Sequence, residues 1–148
     1  MVVLSYATQG VIDAPLSDVF EFCSDLRNEL VWNPNAEAVE KLTDGPVSVG
    51  THFRARWANA GEMTVEVVEF DRPLSWATRS AARGMEVLFR GTVSEVNGRT
   101  RYVIRMEVRP RGLARLYAPL AVLAMRRQDT TNMRLIKEAV EAGIRLSS

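Results

Sequence analysis

Apolar and polar residues alternate with a period of two through the middle of the chain and with a period near 3.6 toward its end, the repeats of strand and helix respectively. Val2 to Asp13 is apolar and β-branched and predicts an opening strand. It stops at Ala14-Pro15, where proline's fixed φ and missing N–H suit the start of a helix. A short helix is expected next, with Asp18 and Glu21 in its first turns and Val19, Phe20 and Phe22 on its apolar side. Asp25-Leu26-Arg27-Asn28 reads as a break, followed by a second short helical piece through Leu30 to Trp32 that ends at Asn33-Pro34-Asn35.

The period-two region begins with a short strand, Ala38 to Leu42, closed by Asp44-Gly45-Pro46. Thr51 to Trp57 places Phe53, Ala55 and Trp57 on one face and His52, Arg54 and Arg56 on the other. Glu62 to Phe70 follows the turn Asn59-Ala60-Gly61, and its Val67-Val68 doublet breaks the alternation as a β-bulge would. Leu74 to Ser80 and Met85 to Val96 are the next two strands. Asn97-Gly98 is the strongest turn signal, because both residues tolerate the positive φ of a type I′ hairpin. Arg99 to Val108 then alternates Tyr102, Ile104, Met106 and Val108 against Arg101, Val103, Arg105 and Glu107.

After Pro110-Arg111-Gly112 the helical period holds to the C-terminus, with Leu116, Leu120, Leu123, Ala124, Leu135, Ala139 and Ala142 as its apolar stripe and Pro119 as a kink or an effective start. Thirty residues of helix extend about 45 Å, so this helix must lie along a sheet rather than cap it. The expected architecture is α+β in one domain, residues 1–148. A curved antiparallel meander of about seven strands wraps a long C-terminal helix, and two short helices follow the first strand. A strongly bent sheet on one helix tends to leave space between them.

Composition adds exclusions. A hydrophobic fraction of 47% and a charged fraction of 25% fit a folded globular chain rather than a disordered one. The net charge of +1 offers no global field for nucleic acid. Arginine outnumbers lysine 17 to 2, and Arg99, Arg101, Arg105, Arg109, Arg111 and Arg115 form a local basic stretch, read first as a solvated outer face. No window reaches the ~18 apolar residues of a spanning helix, so no stable membrane insertion is expected. Ser5, Thr8 and Gln9 interrupt the apolar start before a secretory segment could form. A cytoplasmic location is the expectation. The lone Cys23 has no internal disulfide partner and sits in an apolar run, as a small buried thiol does.

Candidate chemistry is sparse. His52, the one histidine, alternates to the outer face, and no cysteine, histidine or carboxylate spacing resembles a metal site. Neither a phosphate-cradling glycine loop nor a dinucleotide fingerprint nor a nucleophile elbow is present, so no catalytic residue, metal or cofactor is assigned. Glu69 could face inward by alternation, although a glutamate at a strand end usually meets water. Tyr102 carries a polar tip on an apolar face and could anchor a ligand oxygen or bond the backbone. Thr78, Ser80 and Tyr117 are further polar candidates.

Several segments, in order, resemble the START-like ligand-binding superfamily (SRPBCC), and within it the polyketide cyclase/dehydrase-like proteins. Ile12-Asp13-Ala14-Pro15 with Asp18-Val19-Phe20 is similar to the family's opening, and Asp25, Asn28, Trp32 and Pro34 to its aspartate-to-tryptophan segment. Gly45-Pro46, Val49-Gly50-Thr51 and Phe53-Arg54 resemble its Gly-Pro to Phe-Arg strand, and Val67 to Pro73 its strand-to-proline turn. The resemblance implies a helix-grip fold with a hydrophobic cavity between sheet and long helix. The ligand-binding residues expected on this basis are Trp32 at the mouth, Phe53, Trp57, Trp76, Thr78 and Phe89 on the inner face, and Tyr102 and Met106 beside them. Tyr117, Leu120 and Leu123 would come from the helix.

The superfamily hosts carriers, receptors, aromatases and co-chaperones, so fold does not select the activity. The leading expectation is a module that binds a hydrophobic or aromatic small molecule. A cofactorless cyclase, dehydratase or aromatase is the alternative, working by positioning. A protein- or membrane-docking module that uses the arginine stretch is the third. Self-association as a homodimer is left open.

Overall fold

The opening strand, β1 (Leu4–Ile12), lies against the last strand of the chain and not against the one that follows it. In the computed structural model, which describes residues 2–144, chain order continues with α1 (Leu16–Ser24), a single 3₁₀ turn (Leu26–Asn28) and α2 (Glu29–Trp32). Five strands follow, β2 (Ala36–Lys41), β3 (His52–Trp57), β4 (Gly61–Asp71), β5 (Ser75–Ala82) and β6 (Met85–Val96). Strand β7 (Arg99–Pro110) and the long helix α3 (Ala114–Glu141) complete the chain. All seven strands form one antiparallel sheet in the order β1-β7-β6-β5-β4-β3-β2. The sheet is open: β1 and β2 are its two edges.

Local chemistry sets the connections. Pro15 is extended and stands as the N-cap of α1. Asn97 and Gly98 have φ of 50° and 78°, the left-handed pair of a I′ turn, and join β6 to β7 in register from Val96–Arg99 to Met85–Pro110. The β4–β5 register shifts between Val67 and Glu69, so the valine doublet is a bulge. It leaves Val65 and Val67 buried, turns Phe70 toward the core and sends Glu69 outward to Arg90.

Two apolar clusters form on the concave side. The larger contains Ile12, Val19, Phe20, Trp76, Val93, Tyr102, Ile104, Met133 and Ile136, which joins α1 and the C-terminal half of α3 to β1 and to β5–β7. Met133 reaches this close because the facing residue on β1 is Gly10, where a Cβ would stand 2.8 Å from Met133 Cγ. The smaller contains Phe53, Val65 and Val67, and Phe70 packs against both.

The 28 residues of α3 span about 42 Å, and its two halves differ. Met133, Ile136 and Ala139 in the second half are buried. In the first half only the small Ala114 and Ala118 are buried, whereas Leu116 and Leu120 are 81% and 73% exposed and Leu123 is also exposed. The expected stripe therefore needs correction. The core-facing arc is set by Met133, Ile136 and Ala139, and on a straight helix the leucines fall about half a turn away from it. Helix geometry continues through Pro119.

Candidate functional site

A cavity of about 250 Å³ lies between the two clusters. Its floor is sheet: Phe53 and Trp57 from β3, Trp76 and Thr78 from β5, Phe89 from β6, and Tyr102, Ile104 and Met106 from β7. Trp32 and Glu29 from α2 and Asp129, Asn132 and Ile136 from α3 form the remaining wall. Sheet alternation accounts for the floor, because every second residue of a strand faces the same side. The rings brace one another. Trp76 stacks on Tyr102 at 5.7 Å between centroids and 26° between planes, and Phe20 meets Trp76 edge-on at 5.4 Å. Gly91 on β6 makes room for the Trp76 indole, since a Cβ there would stand 2.4 Å from Cζ2.

Polar side chains border the space as well, Tyr102, Asp129, Asn132, Gln128 and Glu29 among them. Tyr102 is 2% exposed, yet its hydroxyl bonds to no described residue. Burial first, and then the nearby Cys23, Asp129 and Glu29, raise its pKa well above that of an ordinary phenol. Asp129 accepts a short hydrogen bond from the Tyr6 hydroxyl through Oδ2 and one at 3.4 Å from Asn132 Nδ2 through Oδ1. Gln128 Nε2 in turn donates to Asn132 Oδ1 at 3.0 Å. Burial raises the Asp129 pKa, while its bonds from Tyr6 and Asn132 oppose the shift. Glu29 Oε1 accepts from Asn33 Nδ2 at 2.8 Å and from Trp57 Nε1 at 3.1 Å. Desolvation raises its pKa too, the two bonds oppose it, and the charge of Asp129 adds to it. Two carboxyl groups thus face an apolar space with increased proton affinity, and a phenol with a free hydroxyl lies within their electrostatic reach.

Of the residues expected from sequence, Trp32, Phe53, Trp57, Trp76, Thr78, Phe89, Tyr102 and Met106 line this cavity, and so does Ser80. Tyr117 does not; it is half-exposed and its hydroxyl donates to the Arg83 carbonyl. Leu120 and Leu123 lie on the outer side of α3. His52 is on the outer face, where Nδ1 contacts the Gly50 carbonyl at 2.8 Å, and Glu69 pairs with Arg90. Cys23 borders the cavity, with its thiol pKa pushed well up by burial.

Sequence reasoning missed Tyr6, Glu29, Asp129 and Asn132. A signal existed for Asp129, a carboxylate within the core-facing arc of a helix between apolar Met125 and Met133. Tyr6 had one too, since it shares a strand face with Gly10 and Ile12. Glu29 opens a four-residue helix with no periodicity to read.

A second concavity of about 460 Å³ lies under the first half of α3, bounded by Ala121, Ala124 and Met125, by Met63, Met85 and Val87 from the sheet and by Arg83 from the β5–β6 turn. Met106, Gln128 and Asp129 border both spaces.

An open antiparallel sheet gripping one long helix around a mostly apolar cavity defines the helix-grip class of ligand-cavity proteins. The family model described as polyketide cyclase / dehydrase and lipid transport matches residues 4–141, and the chain belongs to that family. No curated protein matches it. Among solved structures it is similar to the ZhuI aromatase/cyclase from Streptomyces sp. R1128, with a TM-score of 0.80 and 16% identity over 97% of each chain. It is also similar to TTHA0849 from Thermus thermophilus, with a TM-score of 0.78 and 16% identity over 96% of this chain and 100% of that one. The structure of Ara h 8.0201 has a TM-score of 0.76 and 13% identity, over 95% of this chain and 99% of that one. At these identities the likeness is one of fold.

Proposed function

We propose that the protein binds a compact apolar or aromatic small molecule bearing at least one hydroxyl or carbonyl, held in the cavity between sheet and helix. The observation that carries this reading is the Tyr102 hydroxyl, which opens onto the cavity from a side chain only 2% exposed and has no partner among the described residues. A hydrogen bond from a ligand oxygen to that hydroxyl would contribute about 0.5–1.5 kcal/mol. Aromatic walls with a few convergent polar groups are the usual composition of small-molecule sites. A volume of about 250 Å³ suits a few fused rings better than a long acyl chain.

The test is a titration of tryptophan fluorescence with 2-naphthol and with naphthalene, which differ by one hydroxyl. Saturable quenching is expected for both, with 2-naphthol binding about tenfold tighter, as one hydrogen bond allows. In Tyr102→Phe the preference is expected to disappear while naphthalene affinity holds. Equal affinity of both compounds for the wild-type protein refutes the anchoring role of Tyr102.

A second reading, a cofactorless cyclase or dehydratase, draws support from Asp129 and Glu29. Carboxyl groups with raised proton affinity in a water-poor cavity are suited to general acid–base work on a bound carbonyl compound. The same titrations, repeated with a poly-β-ketone substrate and followed by product analysis, separate a binder from a catalyst.

A further inference from the structure

The first half of α3 has no packing partner for its outer face. Leu113, Leu116, Leu120 and Leu123 fall within about 80° of the helix circumference, and all four are exposed, two of them by 81%. Residues 111–128 contain Arg111, Arg115, Arg126 and Arg127 and no aspartate or glutamate. Among the described residues, the side chains of Arg115, Arg126 and Arg127 belong to no ion pair. On the sheet, Arg109 pairs with Glu107 while Arg99, Arg101 and Arg105 of β7 belong to no ion pair among the described residues, so what distinguishes the half-helix is the exposed leucine ridge beside its arginines.

We propose that this half-helix docks the protein on an anionic membrane surface. A leucine ridge flanked by unpaired arginines is the pattern of a helix lying in the plane of the interface, with its apolar side about 5–10 Å into the headgroup boundary. Arginine stems extend along the apolar surface while their guanidinium groups reach lipid phosphates. Charge argues against a second copy of this chain, since a two-fold contact on this face would bring two such unpaired arginine groups together. Position gives the docking a consequence. This half-helix roofs the second concavity, which shares Met106, Gln128 and Asp129 with the ligand cavity. Docking would therefore set that opening at the lipid surface, where an apolar ligand could pass without crossing water; this consequence, unlike the docking itself, rests on the ligand-binding reading above.

The experiment is co-sedimentation of the full chain with vesicles of phosphatidylcholine alone and of phosphatidylcholine with about one-third phosphatidylglycerol, at low and raised salt. Binding is expected only to the anionic vesicles and is expected to weaken with salt. A drop of about tenfold or more is expected in Leu116→Ser/Leu120→Ser and in Arg115→Glu/Arg126→Glu/Arg127→Glu. All five side chains are exposed, so both variants are expected to keep the wild-type melting temperature; if the serine variant does not fold, the glutamate variant carries the test alone. No wild-type binding to anionic vesicles at low salt overturns the proposal, and so does binding that neither variant reduces. A wild-type dimer that the serine variant converts to monomer overturns it as well and assigns the face to a second copy. Uptake of 2-naphthol without vesicles reports the cavity separately. Retained uptake with no vesicle binding sinks the docking alone, and the reverse result sinks the ligand reading alone.

Discussion

Asp129 concentrates the tension between burial and charge at the site. Its carboxyl group lies against the cavity with its pKa raised by desolvation, so the folded state binds its proton more tightly than the unfolded chain does. From the unfolded value of about 3.9 upward, the native state then holds more protons than the unfolded state, and stability falls as pH rises through the folded pKa. Asp129→Asn keeps an acceptor for the Tyr6 hydroxyl and removes the ionisation. The variant is expected to gain stability relative to the wild type on going from about pH 3 to pH 7, measured by urea denaturation at each pH. A difference between the two proteins that does not change with pH contradicts an elevated Asp129 pKa. Glu29 follows the same sign, tempered by the bonds from Asn33 and Trp57. Glu29 left no signal in the sequence, and the signal of Asp129, its place between Met125 and Met133, was masked because the leucine stripe pointed to the opposite face of the helix.

At the scale of elements, the sheet carries the site and the packing of Trp76 over Gly91 fixes its floor. A Cβ at position 91 would fall 2.4–2.7 Å from three indole atoms, and the ring is itself clamped by Phe20, Phe89 and Tyr102. Gly91→Ala is therefore expected to cost about 1–3 kcal/mol in chemical denaturation and to weaken 2-naphthol binding as well; an unchanged stability would mean that the ring yields freely. Strand order and inward faces were legible because the period of two persists through β3 to β7 and because Asn97-Gly98 pins one hairpin. The bulge announced itself as a valine doublet, and it explains why Glu69, which alternation alone would turn inward, meets Arg90 on the outer face as a strand-end glutamate does. Helix α3 was legible in extent but not in rotation. A continuous leucine stripe ordinarily marks the buried face, and here the sheet instead accepts alanines in the first half and Met133, Ile136 and Ala139 in the second. The pairing of β1 with β7 is long-range and left no local signal.

For the whole molecule, the cavity follows from geometry more than from any one residue. Two apolar clusters fill the two ends of a bent sheet, and the single long helix closes against only one of them. The central claim is that the remaining space accepts a ligand rather than filling with the protein's own side chains. The most direct measurement is a crystal soaked in 4-bromophenol and read by the anomalous scattering of bromine. A bromine peak is expected within the space bounded by Trp76, Phe89, Ile136 and Asp129, with the phenol oxygen within hydrogen-bonding distance of Tyr102. A crystal in which Trp76, Phe89 and Met106 meet across that space, with no bromine between them, would contradict the account.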